Sequence, residues 1–275
     1  MKKCIMLLMV VATLAAFGQK KKKNEPPATQ ETKVDPKTNG GANPSTTTTT
    51  TQPTQTNPNP TTQPTNQGGA QQGNPLVNHF LTKFNVAMRF NDSDVARGAL
   101  YDLIVANPAN DSLLLNLAMM YYEEQKHPSA ILVSQELLAR NAKNPTALEL
   151  AAASFEALNI YDKALANYET LYLQTNAYPT LYKMAFLQFD LKRFKECSAT
   201  SDILLSKKEA NELKVSYPTD DKKTKEYPIK VAILNLKGLV LIEEGDKAGA
   251  KKMFEQALAL APDFVQAKEN LAKAK

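Results

Sequence analysis

The sequence is short of the residues that carry chemistry. It holds two cysteines and two histidines in 275 residues. Cys4 lies in an N-terminal leader, so beyond the leader Cys197 stands alone and no intramolecular disulfide can form. A solitary cysteine in an apolar setting reads as a small buried hydrophobe rather than a nucleophile or ligand. Neither His79 nor His127 has Cys, His or acidic residues at metal-ligand spacing, and His127 precedes Pro128 in a predicted turn. No glycine-rich loop follows a strand to cradle a phosphate, and no strands are evident at all. No nucleophile–base pair assembles without arbitrary choice. These absences predict a protein that is not an enzyme and that holds no metal or cofactor.

Excess charge is also missing where it would matter. The net charge is +5, with 33 basic and 28 acidic residues. Lys2 and Lys3 fall in the first 18 residues, and residues 19–75 hold six lysines against three acids, leaving 25 of each sign from residue 76 onward. A nucleic-acid binder shows a basic face; this neutral region argues for no nucleic-acid partner.

Long apolar runs are lacking too. The longest, from Cys4 to Phe17, is about 14 residues, short of the ~20 that span a bilayer. It follows Lys2 and Lys3 and ends in Ala16 and Gly18, the organisation of a secretory signal peptide cleaved after Gly18. Lys20, Lys21, Lys22 and Lys23 oppose translocation, so an uncleaved, inward-facing anchor is the alternative. The expectation is export, to the periplasm, the cell envelope or the medium, with no integral span after cleavage. Cys4 precedes the apolar run, where a lipoprotein cysteine would follow it.

Between Gln19 and Pro75 only Ala28, Val34, Ala42 and Ala70 are apolar, so this Thr-, Pro-, Asn- and Gln-rich segment cannot form a core. As a flexible coil its ends would lie roughly 40 Å apart. It reads either as a spacer, glycosylated or not, or as an unconstrained linker. Asn91 and Asn110 each begin an Asn-Asp-Ser sequon in a predicted turn, which reads as coincidence in a protein of bacterial character.

What is present begins at residue 76. Residues 148–172 read as two amphipathic helices joined by a turn near Asn159. Leu148, Ala151, Ala152 and Phe155 fall at helical spacing, as do Ala164, Leu165, Tyr168, Leu171 and Tyr172. Helices this short cannot bury both faces against each other, so the unit needs neighbours. Ala164 has counterparts 34 residues earlier at Ala130 and again at Ala96. Five copies align, beginning near Val77, Asp111, Pro145, Tyr178 and Val231. A first small-residue column runs Phe84, Ala118, Ala152, Ala185 and Gly238, with only Phe84 departing. A second runs Ala96, Ala130, Ala164, Cys197 and Ala250, and a third, apolar column runs Leu103, Leu137, Leu171, Leu204 and Ala257. Small side chains in step let paired helices approach closely.

With that period and those columns, the chain resembles the tetratricopeptide repeat (TPR) family from residue 76 onward. The last copy matches best, through Gly238, Gly245, Ala250, Phe254, Ala257 and Pro262. The resemblance implies an all-α, right-handed superhelical array of helix–turn–helix repeats near 77–110, 111–144, 145–177, 178–211 and 231–264. An amphipathic capping helix over 263–275 would turn Phe264, Val265, Ala267 and Leu271 towards the array. Residues 212–230, bracketing a charged run with Pro218 and Pro228, read as an insertion. It is either a partner-contacting loop or a lengthened helix with a solvated connector.

The family's first helices line a concave groove. By resemblance the lining here is Leu81, Asn85, Met88, Leu115, Met119, Tyr122, Glu149, Ala153, Glu156, Tyr182, Phe186, Phe189, Leu239 and Ile242. The aromatic and Met content suits an interface core, and Glu123, Glu149 and Glu156 add negative charge. Such a groove suits an apolar peptide or helix with a basic flank. The alternative is that these residues pack between repeats. The carboxylate clamp of chaperone-tail binders is excluded, because Leu81, Leu115 and Glu149 stand where its cationic and amide groups are needed. The expected role is a protein-interaction scaffold in envelope assembly or secretion. A self-associating homo-oligomeric envelope protein and an accessory glycan-binding subunit are the alternatives.

Overall fold

The computed structural model describes residues 74–219 and 223–274; the expected leader, the linker up to residue 73 and three residues of the insertion lie outside them. Helices form in pairs. The pairs are α1 (Pro75–Arg89) with α2 (Ser93–Ala106), α3 (Asp111–Glu123) with α4 (His127–Arg140), and α5 (Pro145–Ala157) with α6 (Tyr161–Thr175). Then come α7 (Tyr178–Asp190) with α8 (Phe194–Ser206), a short α9 (Glu209–Glu212), strands β1 (Lys214–Pro218) and β2 (Thr224–Pro228), and α10 (Ile229–Glu243) with α11 (Lys247–Leu260). Helix α12 (Val265–Lys273) ends the array. Each second helix packs on the next first helix, and α8 reaches α10 across the insertion. The fold is an α-solenoid.

The local chemistry that starts and stops these helices repeats with them. Asn74, Asp92, Asn110, Asn144 and Asp246 cap α1, α2, α3, α5 and α11 by accepting a hydrogen bond from a first-turn amide. Asn110, whose sequon reads as coincidence, serves as a cap. Prolines 145 and 179 occupy the first turns of α5 and α7, where a missing N–H costs nothing. The turn within every pair holds one left-handed residue: Asn91, Gln125, Asn159, Lys192 and Gly245, with φ of 56°, 59°, 59°, 59° and 87°. The following amide donates back to the first helix at 2.8–2.9 Å, as Lys126 N to Tyr121 O and Arg193 N to Gln188 O. This is the Schellman closure, which satisfies carbonyls the helix end leaves free.

Packing follows the columns. Ala96, Ala130, Ala164, Cys197 and Ala250 are fully buried, as are Leu137, Leu204 and Ala257; Leu103 and Leu171 are nearly so. Phe84 is accommodated by an exchange of sizes. Repeat one pairs Phe84 with Ala87, where repeat three pairs Ala152 with Phe155, and Phe84 packs half-buried in a cluster with Ala87, Ala96 and Leu100.

Two short strands, where the sequence showed none, interrupt the otherwise helical array. β1 and β2 form an antiparallel hairpin in which Val215 faces Tyr227 and Tyr217 faces Lys225. Tyr217 and Tyr227 are buried, and both meet the ring of Phe264 edge-on, at 5.1 Å and 5.0 Å. Lys225 Nζ pairs with Asp263 at 2.5 Å on the outside. The described residues of the insertion therefore form a hairpin rather than a lengthened helix. Two tyrosines anchor it, where an isolated two-stranded hairpin would be marginal.

Candidate functional site

Each first helix carries a stripe of three residues spaced four and then three apart, which places them on one face. The first positions are Leu81, Leu115, Glu149, Tyr182 and Asn235. The second are Asn85, Met119, Ala153, Phe186 and Leu239, and the third Met88, Tyr122, Glu156, Phe189 and Ile242. Their environments differ along the array.

In α1 and α3 the stripe is open. Leu81 and Met88 are 47% exposed and Met119 is 41% exposed, while Leu115 and Tyr122 are half-buried. In a domain whose small-residue columns are sealed, these large apolar side chains face solvent. Tyr122 stacks edge-on with His127 at 5.6 Å. Burial first, then the charges of Glu156 and Glu149, push its phenol above the ordinary value, so both carboxylates act on this ring.

In α5 the stripe turns acidic. Glu156 is already satisfied: Lys183 of α7 donates to it at 2.9 Å, and the Tyr168 hydroxyl donates at 3.1 Å. Glu149 is exposed and has no cationic partner among the described residues. Ala153 is half-buried beside it.

In α7 and α10 the first stripe position is buried, while Phe186, Phe189, Leu239 and Ile242 are half-buried. Tyr182 is 5% exposed, and its hydroxyl lies 3.1 Å from that of Tyr217 on the hairpin. Phe186 leans on Tyr182 with centroids 4.8 Å apart, and Phe189 turns to Phe194 of α8 at 5.8 Å. Leu239 and Ile242 pack against the cluster of Ala250, Phe254 and Ala274. Asn235 is sealed by α12, accepting from Asn270 Nδ2 at 3.0 Å. Of the expected lining, the structure leaves Leu81, Asn85, Met88, Met119 and Glu149 exposed, buries Tyr182 and half-buries the rest. The tyrosine pair that closes α7 was missed. Its signal was the alternation of Val215 and Tyr217 with Lys214 and Ser216 ahead of Pro218.

Among the described residues no group of three or more His, Cys, Asp or Glu side chains is placed to hold a metal ion. No helix among them is long and apolar enough to cross a membrane.

The sequence profile of the tetratricopeptide repeat family matches residues 81–145 and 235–274, at the two ends of an array whose middle pairs repeat the same columns. Those two stretches are tetratricopeptide repeats. Solved TPR structures share the fold. A TPR protein from Parabacteroides merdae is 20% identical, superposes with a TM-score of 0.56 and covers 73% of each chain. MamA is 15% identical, with a TM-score of 0.52, covering 72% of this chain and 94% of its own. YrrB, described as a TPR protein with an unusual peptide-binding site, is 11% identical with a TM-score of 0.56, covering 71% and 91%. At these identities the likeness is one of fold. No curated protein sequence matches the chain. The TPR family is in general a non-catalytic protein-interaction fold.

Proposed function

We propose that this TPR array is a non-catalytic scaffold that binds a peptide or helical segment of another protein along its first-helix face, in envelope assembly or secretion. The observation that carries the reading is the exposure of Leu81, Met88 and Met119 on the same face of the adjacent first helices α1 and α3. Solvent-facing large apolar side chains gathered on one face mark an interaction surface. YrrB, of the same fold, has a peptide-binding site of its own. The export part of the reading rests on the signal-like organisation of residues 1–18.

Affinity capture from native cells tests the binding reading. A Met88→Glu, Met119→Glu double variant should lose the proteins captured by the wild-type chain while its circular dichroism stays unchanged. Retention of the same set would contradict it. Cell fractionation tests export: a chain lacking its first 18 residues in the envelope fraction supports it, and an intact cytosolic chain contradicts it.

A further inference from the structure

The first position of the TPR stripe passes from exposed to sealed along the array: Leu81 at 47% exposure, Leu115 half-buried, Glu149 exposed, Tyr182 at 5% and Asn235 at 9%. At Tyr182 the cover is another part of the same chain. Tyr217 of the hairpin lies over it, sealed in turn by Phe264, and the hairpin is held at its far strand by Lys225 on Asp263. We propose that hairpin β1–β2 closes the first-helix face at Tyr182 of α7, as α12 closes it at Asn235 of α10, and that docking is confined to α1, α3 and α5, where the occupant is an apolar segment carrying a Lys or Arg side chain. This rests on the peptide-binding reading above and names which half of the face is used and by what chemistry.

The apolar part of the occupant meets Leu81, Met88 and Met119. Its cationic part is fixed by charge. Of the two stripe carboxylates on α5, Glu156 already holds the Lys183 ammonium at 2.9 Å and the Tyr168 hydroxyl. That internal pair shows a stripe carboxylate of this face holding a lysine amine. Glu149 lies two turns away with no such amine, and its charge reaches the half-buried Tyr122. An exposed carboxylate with no cationic partner favours a cationic side chain, which it can meet by a charge-assisted hydrogen bond. An anionic segment would meet Glu149 and the exposed Glu123 unpaired.

The test uses the 275-residue chain and a phage-displayed library of random ten-residue peptides, followed by anisotropy titrations of the most enriched peptide. Enriched sequences should combine two or more large apolar residues with Lys or Arg. Glu149→Lys and Met119→Glu should each weaken the chosen peptide at least tenfold, and Ile242→Lys should leave it within twofold. Circular dichroism confirms that each variant folds. Peptides that are acidic or lack basic residues overturn the proposal, as does binding that moves with Ile242→Lys and not with Glu149→Lys; in both cases the peptide-binding reading survives. Failure to enrich any peptide overturns both.

Discussion

Gly238 of α10 lies directly against the ring of Phe254 of α11. A Cβ built on the glycine would come within 2.7 Å of Cδ1 and Cζ, and closer still to Cε1. At the equivalent positions repeats two and four carry Ala118 with Ser134 and Ala185 with Ser201, and repeat three carries Ala152 with Tyr168. In the last repeat the two helices approach through a missing methyl and a full ring, and Phe254 is completely buried. Gly238→Ala should therefore destabilise the array by about 1–3 kcal/mol, the cost of forcing a methyl into a packed core. Urea unfolding measures it. An unchanged midpoint would mean that the ring rotates away freely.

The hairpin strap makes a second claim about energetics. Tyr217→Ala removes a ring packed between Tyr182 and Phe264 and should cost about 3 kcal/mol or more. Tyr217→Phe removes only the hydroxyl contact, worth about 1 kcal/mol. Hydrogen exchange should show β1, β2 and the start of α10 losing protection in the alanine variant while α1–α4 keep theirs. Equal loss across all repeats would contradict a local strap.

Left-handed residues in the turns give a third. Lys192 and Gln125 sit at φ 59° with a Cβ that this conformation disfavours, while the last repeat uses Gly245 at the matched place. Lys192→Gly should stabilise by up to about 1 kcal/mol, less the greater chain entropy of an unfolded glycine. Gly245→Ala should do the reverse. Thermal unfolding of the two variants checks the signs.

Cys197 supplies a pH dependence. Burial pushes its thiol from an ordinary 9.0 to about 12. The folded chain holds a proton that the unfolded chain releases, so stability is fully present below about pH 9 and falls as pH rises towards 12. Cys197→Ala should flatten that fall. Tyr178 and Tyr217, also raised to about 12 mainly by burial, add to it and should remain in the variant. At pH 8 iodoacetamide should leave Cys197 unmodified in the native chain and alkylate it in denaturant, because the thiolate is the reactive form. Rapid native alkylation would place the thiol at the surface, against its burial.

The repeat architecture was legible because tight packing between helices demands small side chains, and Ala96, Ala130, Ala164, Cys197 and Ala250 recur in step to meet that demand. Leu81, Met88 and Met119 were named only through the resemblance to the family's first helices, and the structure places them at the surface. What could not be read was the cover. Tyr182 has the same spacing as Leu81, and only the fold of residues 214–228, far along the chain from it, decides that one is sealed and the other is not. The hairpin was hidden because its two strands are short and lysine-rich, with the apolar alternation resting on Val215, Tyr217 and Tyr227. Lys183 on Glu156 was equally out of reach, since a pair between adjacent first helices depends on the angle at which repeats stack.

Site-specific photo-crosslinking in native cells tests the central claim most directly. A crosslinking residue is placed at Met119 on the first-helix face or at Leu173, an 85% exposed apolar position on α6. The account predicts a discrete protein adduct from position 119, abolished by Glu149→Lys, and none from position 173. The same adducts from both positions, or none from 119, would contradict it.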